Sequence, residues 1–157
     1  MFTTEYIVEN LGSVVTAELR MGCCATTAEL FHSRAVRFLW EFGTVKSLSM
    51  DEFFIAVLRS AGCLDLPTFS NLTSLELCVN YYTDQGMIAC LLNICPNLKY
   101  LLIREENDED CLEEEMQISL RSDVEMVPEC LLSSLEVIVL LGFHGITRDG
   151  DGKVFVG

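Results

Sequence analysis

Basic residues are scarce in this sequence: Lys and Arg number 10 against 24 Asp and Glu, a formal charge of −14 over 157 residues. A surface that acidic repels nucleic-acid phosphates and anionic lipid head groups, so neither nucleic acid nor a membrane surface is an expected partner. Proline is rare (3) and glycine modest (10), while half of the residues are hydrophobic and 22% charged, which excludes collagen, a Pro-rich linker and wholesale disorder. No run approaches the ~18 apolar residues that suggest a membrane span. The longest conspicuous one, Val137 to Leu141, has the length of a strand. The first ten residues, MFTTEYIVEN, carry two Glu and no Lys or Arg, so neither a secretory signal nor a transit peptide is expected, and the location expected is cytoplasmic or nuclear.

Metal and catalytic spacings are missing as well. The cysteines are Cys23, Cys24, Cys63, Cys78, Cys90, Cys95, Cys111 and Cys130; no two stand as Cys-x2-Cys, and His32 and His144 fall at no zinc-ligand spacing from them. In a reducing compartment they are expected as buried or half-buried free thiols rather than disulfides. No nucleophile motif surrounds any of them, and no G-x-G-x-x-G or Walker-type loop is present, so neither a cofactor nor an enzymatic activity is indicated.

What is present is a repeat. The pattern L-x-x-L-x-L, with other apolar residues allowed, occurs five times: Val14-Ala17-Leu19, Val45-Leu48-Met50, Leu72-Leu75-Leu77, Leu98-Leu101-Ile103 and Leu135-Ile138-Leu140. Its starts lie 31, 27, 26 and 37 residues apart, near the 20–29 residues typical of leucine-rich repeats, with insertions in the first and last intervals. The last two apolar positions of each unit are two residues apart and share one face of a short strand.

Between the strands the spacing is helical. Thr26-x-x-Glu29 reads as a capping box, followed by Phe31, Ala35, Phe38 and Phe42 up to Gly43. Ser49-x-x-Glu52 is a second possible box, followed by Phe53, Phe54, Val57, Leu58 and Ala61 up to Gly62, and Met87, Ile88, Leu91, Leu92 and Cys95 form a third stripe closed by Pro96. Strands alternating with helices need crossover connections and hence a parallel sheet. The fold expected is α/β, a leucine-rich-repeat solenoid with parallel strands on the concave face and helices outside; a doubly wound sheet is the alternative. From Glu105 to Glu115, eight of eleven residues are acidic, which predicts a self-repelling surface loop without the turn glycine of a calcium site. Asn71-Leu-Thr73 fits a glycosylation acceptor and is read instead as a loop feeding the third strand, and Asp149-Gly-Asp151-Gly as a turn.

In this register, positions three, five and seven of each strand point away from the core. They are Thr16, Glu18, Arg20; Ser47, Ser49, Asp51; Ser74, Glu76, Cys78; Tyr100, Leu102, Arg104; and Val137, Val139, Leu141. The residues singled out as a partner-binding concave face are Glu18, Arg20, Ser47, Ser49, Glu76, Tyr100, Leu102, Arg104, Val137, Val139 and Leu141. The fifth set is wholly apolar, which implies burial on both sides by further chain or by a partner.

Three strings carry a family resemblance: Leu66-Pro-Thr-Phe-Ser-Asn-Leu-Thr-Ser-Leu-Glu-Leu77, Cys95-Pro-Asn-Leu-Lys-Tyr-Leu101, and Val127-Pro-Glu-Cys-Leu-Leu-Ser-Ser-Leu-Glu-Val137 followed by Gly142-Phe-His-Gly145. The chain resembles the plant F-box/FBD/LRR-repeat proteins over roughly residues 10 to 145, the third string matching the start of an FBD domain. The resemblance implies irregular repeats over 1–126 and a partial FBD domain over 127–157 with a divergent tail. In that family an F-box binds the Skp adaptor of a cullin ubiquitin ligase, and the repeats and FBD region select the substrate. No F-box is read here, so the expectation is a non-enzymatic module that binds a protein substrate, with Skp adaptor engaged only by a longer form carrying an F-box. The alternative is a truncated decoy, or a non-functional fragment, that holds substrate without recruiting the ligase.

Overall fold

A computed structural model describes residues 6–7, 15–20, 28–59, 63–80, 83, 85–106, 127–142, 146–148 and 154–156. The order of elements is β1 (Tyr6–Ile7), β2 (Thr16–Leu19), α1 (Ala28–Glu41), β3 (Ser47–Met50), α2 (Glu52–Arg59), a 3-10 turn (Cys63–Asp65), β4 (Ser74–Val79), α3 (Gln85–Asn93), β5 (Tyr100–Glu105), α4 (Glu129–Ser133), β6 (Val137–Leu141), β7 (Ile146–Arg148) and β8 (Val154–Val156). Strands β2 to β6 are parallel and lie side by side in chain order, with β1 added antiparallel beyond β2; β7 and β8 form a separate antiparallel pair. All five repeat motifs are strands. The strand order never reverses, so the sheet has no topological switch point of the kind a doubly wound fold places at its ligand crevice.

The alternation of apolar residues accounts for the sheet having one buried face. In β2 to β4 every second side chain is buried: Ala17 and Leu19, Leu48 and Met50, Leu75, Leu77 and Val79. These meet Ala35, Leu39 and Phe42 of α1 and its end, Phe54, Val57 and Leu58 of α2, and Met87, Leu91 and Leu92 of α3 in a single core. Each such side chain, fully removed from water, contributes roughly 1.5–3 kcal/mol before entropy is counted. The helix stripes expected from spacing supply this layer, although Phe31 and Ala61 fall outside the residues whose side chains are described. Burial thins toward the end of the sheet. On β6, Ile138 stands opposite the buried Leu101 yet is exposed.

Each parallel junction opens with the same hydrogen-bond arrangement. The N–H groups of Lys46 and Ser47 both donate to Val15 O, those of Thr73 and Ser74 to Lys46 O, those of Lys99 and Tyr100 to Thr73 O, and those of Glu136 and Val137 to Lys99 O, all at 2.8–3.0 Å. The carbonyl that receives two donors thus belongs each time to a residue in the corresponding place on the preceding strand. Side chains reinforce the turns between units: Asn97 Nδ2 donates to Ser70 O at 2.8 Å and Ser134 Oγ to Pro96 O at 2.8 Å. Leu72, within the Asn71-Leu-Thr73 triplet, is fully buried, and Thr73 ties to Lys46, as a segment leading into β4 requires.

Three expectations are corrected. The cap of α2 is Asp51 and not Ser49: Asp51 Oδ1 accepts from Phe54 N at 2.8 Å, while Ser49 lies within β3, where its backbone is committed to the sheet. The acidic run does not begin as loop, since Glu105 is the last residue of β5; residues 107–115 lie outside the described residues. And the cysteines are not all free thiols. Cys78, Cys95 and Cys130 are free, but Cys90, buried on α3, is disulfide-bonded. Linear spacing carries no information on which thiols a fold brings together.

Candidate protein-binding face

The face opposite the core is built in rows, because the five parallel strands are in register. Thr16, Ser47, Ser74, Tyr100 and Val137 stand abreast, and so do Glu18, Ser49, Glu76, Leu102 and Val139. Cys78, Arg104 and Leu141 begin a third row at the C-terminal ends of β4 to β6, with Arg20 and Asp51 just past the ends of β2 and β3. All eleven residues singled out from sequence therefore lie on this side or at its C-terminal rim. Most are half-buried; Arg20, Val137 and Leu141 are exposed. The character changes along the sheet, from hydroxyls and charges on β2 to β4, through Tyr100, Leu102 and Arg104, to the hydrocarbon of β6.

Charged groups concentrate at the C-terminal rim. Arg20 pairs with Glu18, and that hydrogen bond and charge raise the Arg20 pKa further above its ordinary value. Arg104 Nη2 lies 3.2 Å from Glu76 Oε1. Between them opens a cleft of ≈ 150 Å³ lined by Arg20, Ser49, Asp51, Glu52, Phe53, Glu76, Cys78, Arg104 and Glu106. Its lining carries four carboxylates against two guanidinium groups. Glu52, the first residue of α2, is buried at the positive end of that helix, and Asp51 caps it.

Cys78 is pushed up to about 11 by burial first and then by the Glu106 carboxylate, toward which its thiol points at 3.9 Å, while Arg104 works in the opposite direction. A thiol held protonated at neutral pH is the reverse of an activated nucleophile. The described lining includes no histidine to act as a base. Among the described residues no group of three His, Cys, Asp or Glu is placed to hold a metal ion, and no helix is long and apolar enough to cross a membrane. His144 lies outside the described residues, as does the side chain of His32.

Sequence reasoning named the strand residues of the cleft and missed Glu52, Phe53 and Glu106 as its walls. The usable signal was positional: crevices of parallel sheets form beyond the carboxyl ends of the strands, which is where these three residues follow β3 and β5.

A parallel sheet that grows one strand and one helix at a time, with helices on one face and aligned side chains on the other, defines a class of repeat-like α/β proteins. Sequence comparisons find similar proteins in one plant. An F-box/FBD/LRR-repeat protein of Arabidopsis thaliana is 30% identical over 142 residues, covering 83% of this chain and 26% of the relative. An FBD-associated F-box protein of the same plant is 30% identical over 145 residues, covering 88% and 30%, and a second F-box/FBD/LRR-repeat protein is 40% identical over 76 residues, covering 48% and 15%. Over most of its own length the chain is similar to plant F-box/FBD/LRR-repeat proteins. It spans between a quarter and a third of the length of the two relatives that it matches over most of its own sequence. No family model matches the chain, and no solved structure matches it significantly.

Proposed function

We propose that this chain is a non-enzymatic protein-binding module, the substrate-recognition part of an F-box receptor of a Skp-cullin-F-box ubiquitin ligase. The observation that carries the reading is the register of β2 to β6, which sets outward side chains in continuous rows ending at the charged cleft. In this reading the sheet is a leucine-rich-repeat solenoid and its outer face the concave one, with Glu18, Arg20, Ser47, Ser49, Glu76, Tyr100, Leu102 and Arg104 contacting substrate. Residues 1–126 form the repeats and 127–157 part of an FBD domain. Aromatic and Arg side chains such as Tyr100 and Arg104 are the types enriched at binding hot spots. The module acts in the cytoplasm or nucleus.

A pull-down from plant extract with the purified chain tests this. Specific capture of a protein that is lost with Tyr100→Ala or Arg104→Glu, in a variant that keeps its circular dichroism, supports the outer face as the binding surface. Capture unaffected by either substitution places recognition elsewhere. Recovery of the Skp adaptor with the chain would show that adaptor contact does not require a longer form.

A further inference from the structure

The last strand of the sheet presents an edge and a surface that complement themselves. The outer edge of β6 is unpaired among the described residues. Its sequence, Val137-Ile138-Val139-Leu140-Leu141, contains no charge, no proline and no glycine, and so lacks the features by which proteins blunt an open edge. Apolar side chains are exposed on both of its faces, with Ile138 55% exposed on the core side and Val137 and Leu141 exposed on the other. Val127 before α4, and Leu131 and Leu132 on it, the last 75% exposed, extend the apolar surface on the core side.

We infer that a second copy of this chain covers β6, by antiparallel pairing of the two β6 edges about a two-fold axis. The backbone supports one register. Val137 N–H donates to Lys99 O on β5, so alternation along a parallel strand turns the N–H and C=O of Ile138 and Leu140 outward. Antiparallel pairing centred on Val139 sets Ile138 against Leu140 of the second copy, and Leu140 against its Ile138. Both are pairs that exchange two hydrogen bonds, and the two Val139 residues meet as a close non-hydrogen-bonded pair. The axis is perpendicular to the sheet, so both α4 helices come to the same side and their exposed leucines face each other. The arrangement is isologous and closes at two copies.

Area and charge agree with this occupant. On the core side the exposed parts of Ile138, Val127, Leu131 and Leu132 amount to on the order of 400 Å² of apolar surface, within the ~300–600 Å² of a monomer's largest patch, which is often functional. Each copy carries a net charge of −14, yet β6 carries none, and Glu136, the residue before it, is held 3.0 Å from Lys99 Nζ. An uncharged strip on an acidic molecule is where a like-charged copy approaches at least cost.

Sedimentation equilibrium of the 157-residue chain tests this, with a mass of 17.6 kDa doubling at micromolar concentration and the dimer strengthening as salt screens repulsion. Ile138→Pro removes an outward N–H that β5 does not use, and Ile138→Lys charges the seam without altering the backbone; both are expected to sediment as monomers with unchanged circular dichroism. Register is read separately by air oxidation: Val139→Cys, at the two-fold axis, is expected to form a covalent dimer on a non-reducing gel, whereas Val137→Cys, set against Leu141 of the second copy, is not. A chain that stays monomeric at all concentrations, association that survives Ile138→Lys, or a covalent dimer with Val137→Cys but not Val139→Cys overturns the inference. So does a chain that is monomeric alone and pairs β6 with an extended apolar peptide.

Discussion

Arg104 and Glu76 form a diagonal pair across the β4–β5 ladder, Nη2 to Oε1 at 3.2 Å, with Arg104 opposite Cys78 and Glu76 opposite Leu102. Both side chains are partly exposed, so the pair contributes only about 0.2–1 kcal/mol, and Arg104→Ala is expected to shift a urea melt by no more than that. Its effect on Cys78 is the sharper readout. Arg104 favours the thiolate while burial and Glu106 oppose it. Removing it therefore raises the Cys78 pKa further above about 11, and alkylation of Cys78 at alkaline pH slows; unchanged or faster alkylation contradicts the arrangement of charges at the cleft.

Asp51 terminates β3 and begins α2 with one side chain. Asp51→Ala is expected to cost about 1 kcal/mol by denaturant unfolding, through loss of the bond to Phe54 N, and Asp51→Asn only a fraction of that. Ser49→Ala leaves the cap intact. A larger loss at Ser49 than at Asp51 would reverse the assignment.

Gly142 closes β6 with φ at +84°, and a Cβ there would sit 2.5 Å from Glu105 O. Gly142→Ala is therefore expected to destabilise the chain by about 1–3 kcal/mol in thermal melts, from both backbone conformation and collision. Gly43 is the control. A Cβ at Gly43 meets Trp40 O at 3.5 Å, an ordinary contact, so Gly43→Ala should change stability by much less.

Cys95 sets a pH dependence. Burial, and then the neighbouring Cys130, push its thiol from 9.0 up to about 12. The folded chain keeps a proton that the unfolded chain releases above pH 9, so this contribution is complete below that pH and declines as pH rises toward 12. Melting temperature followed from neutral pH to pH 10.5 should fall less steeply in Cys95→Ala than in the parent chain. Parallel curves would mean that this thiol does not carry the effect.

The parallel strands were legible because L-x-x-L-x-L fixes two core positions two residues apart, and Leu75 and Leu77 can be buried together only on a strand. The helices α1 to α3 were legible for the corresponding reason at a period near 3.6. The five residues of α4 complete too little more than one turn to display a period, and β1, β7 and β8 are too short to alternate. Ser49-x-x-Glu52 misled because a capping box is a local pattern, and the sheet claims Ser49 first. The cleft was half legible. Its strand residues follow from register, but Glu52, Phe53 and Glu106 enter through the way the chain leaves each strand, which has no signature in spacing.

The doubled hydrogen bond at each junction makes the sheet insensitive to what separates its strands. Starts 31, 27, 26 and 37 residues apart arrive at the same carbonyl position on the preceding strand, so the alignment of outward rows is measured by the junction and not by the length of the connection. Insertions and deletions between strands can thus accumulate while the outward rows stay in step. Paralogous chains built this way can diversify along two separate axes, the length of their connections and the identity of their outward residues, without either change spoiling the other.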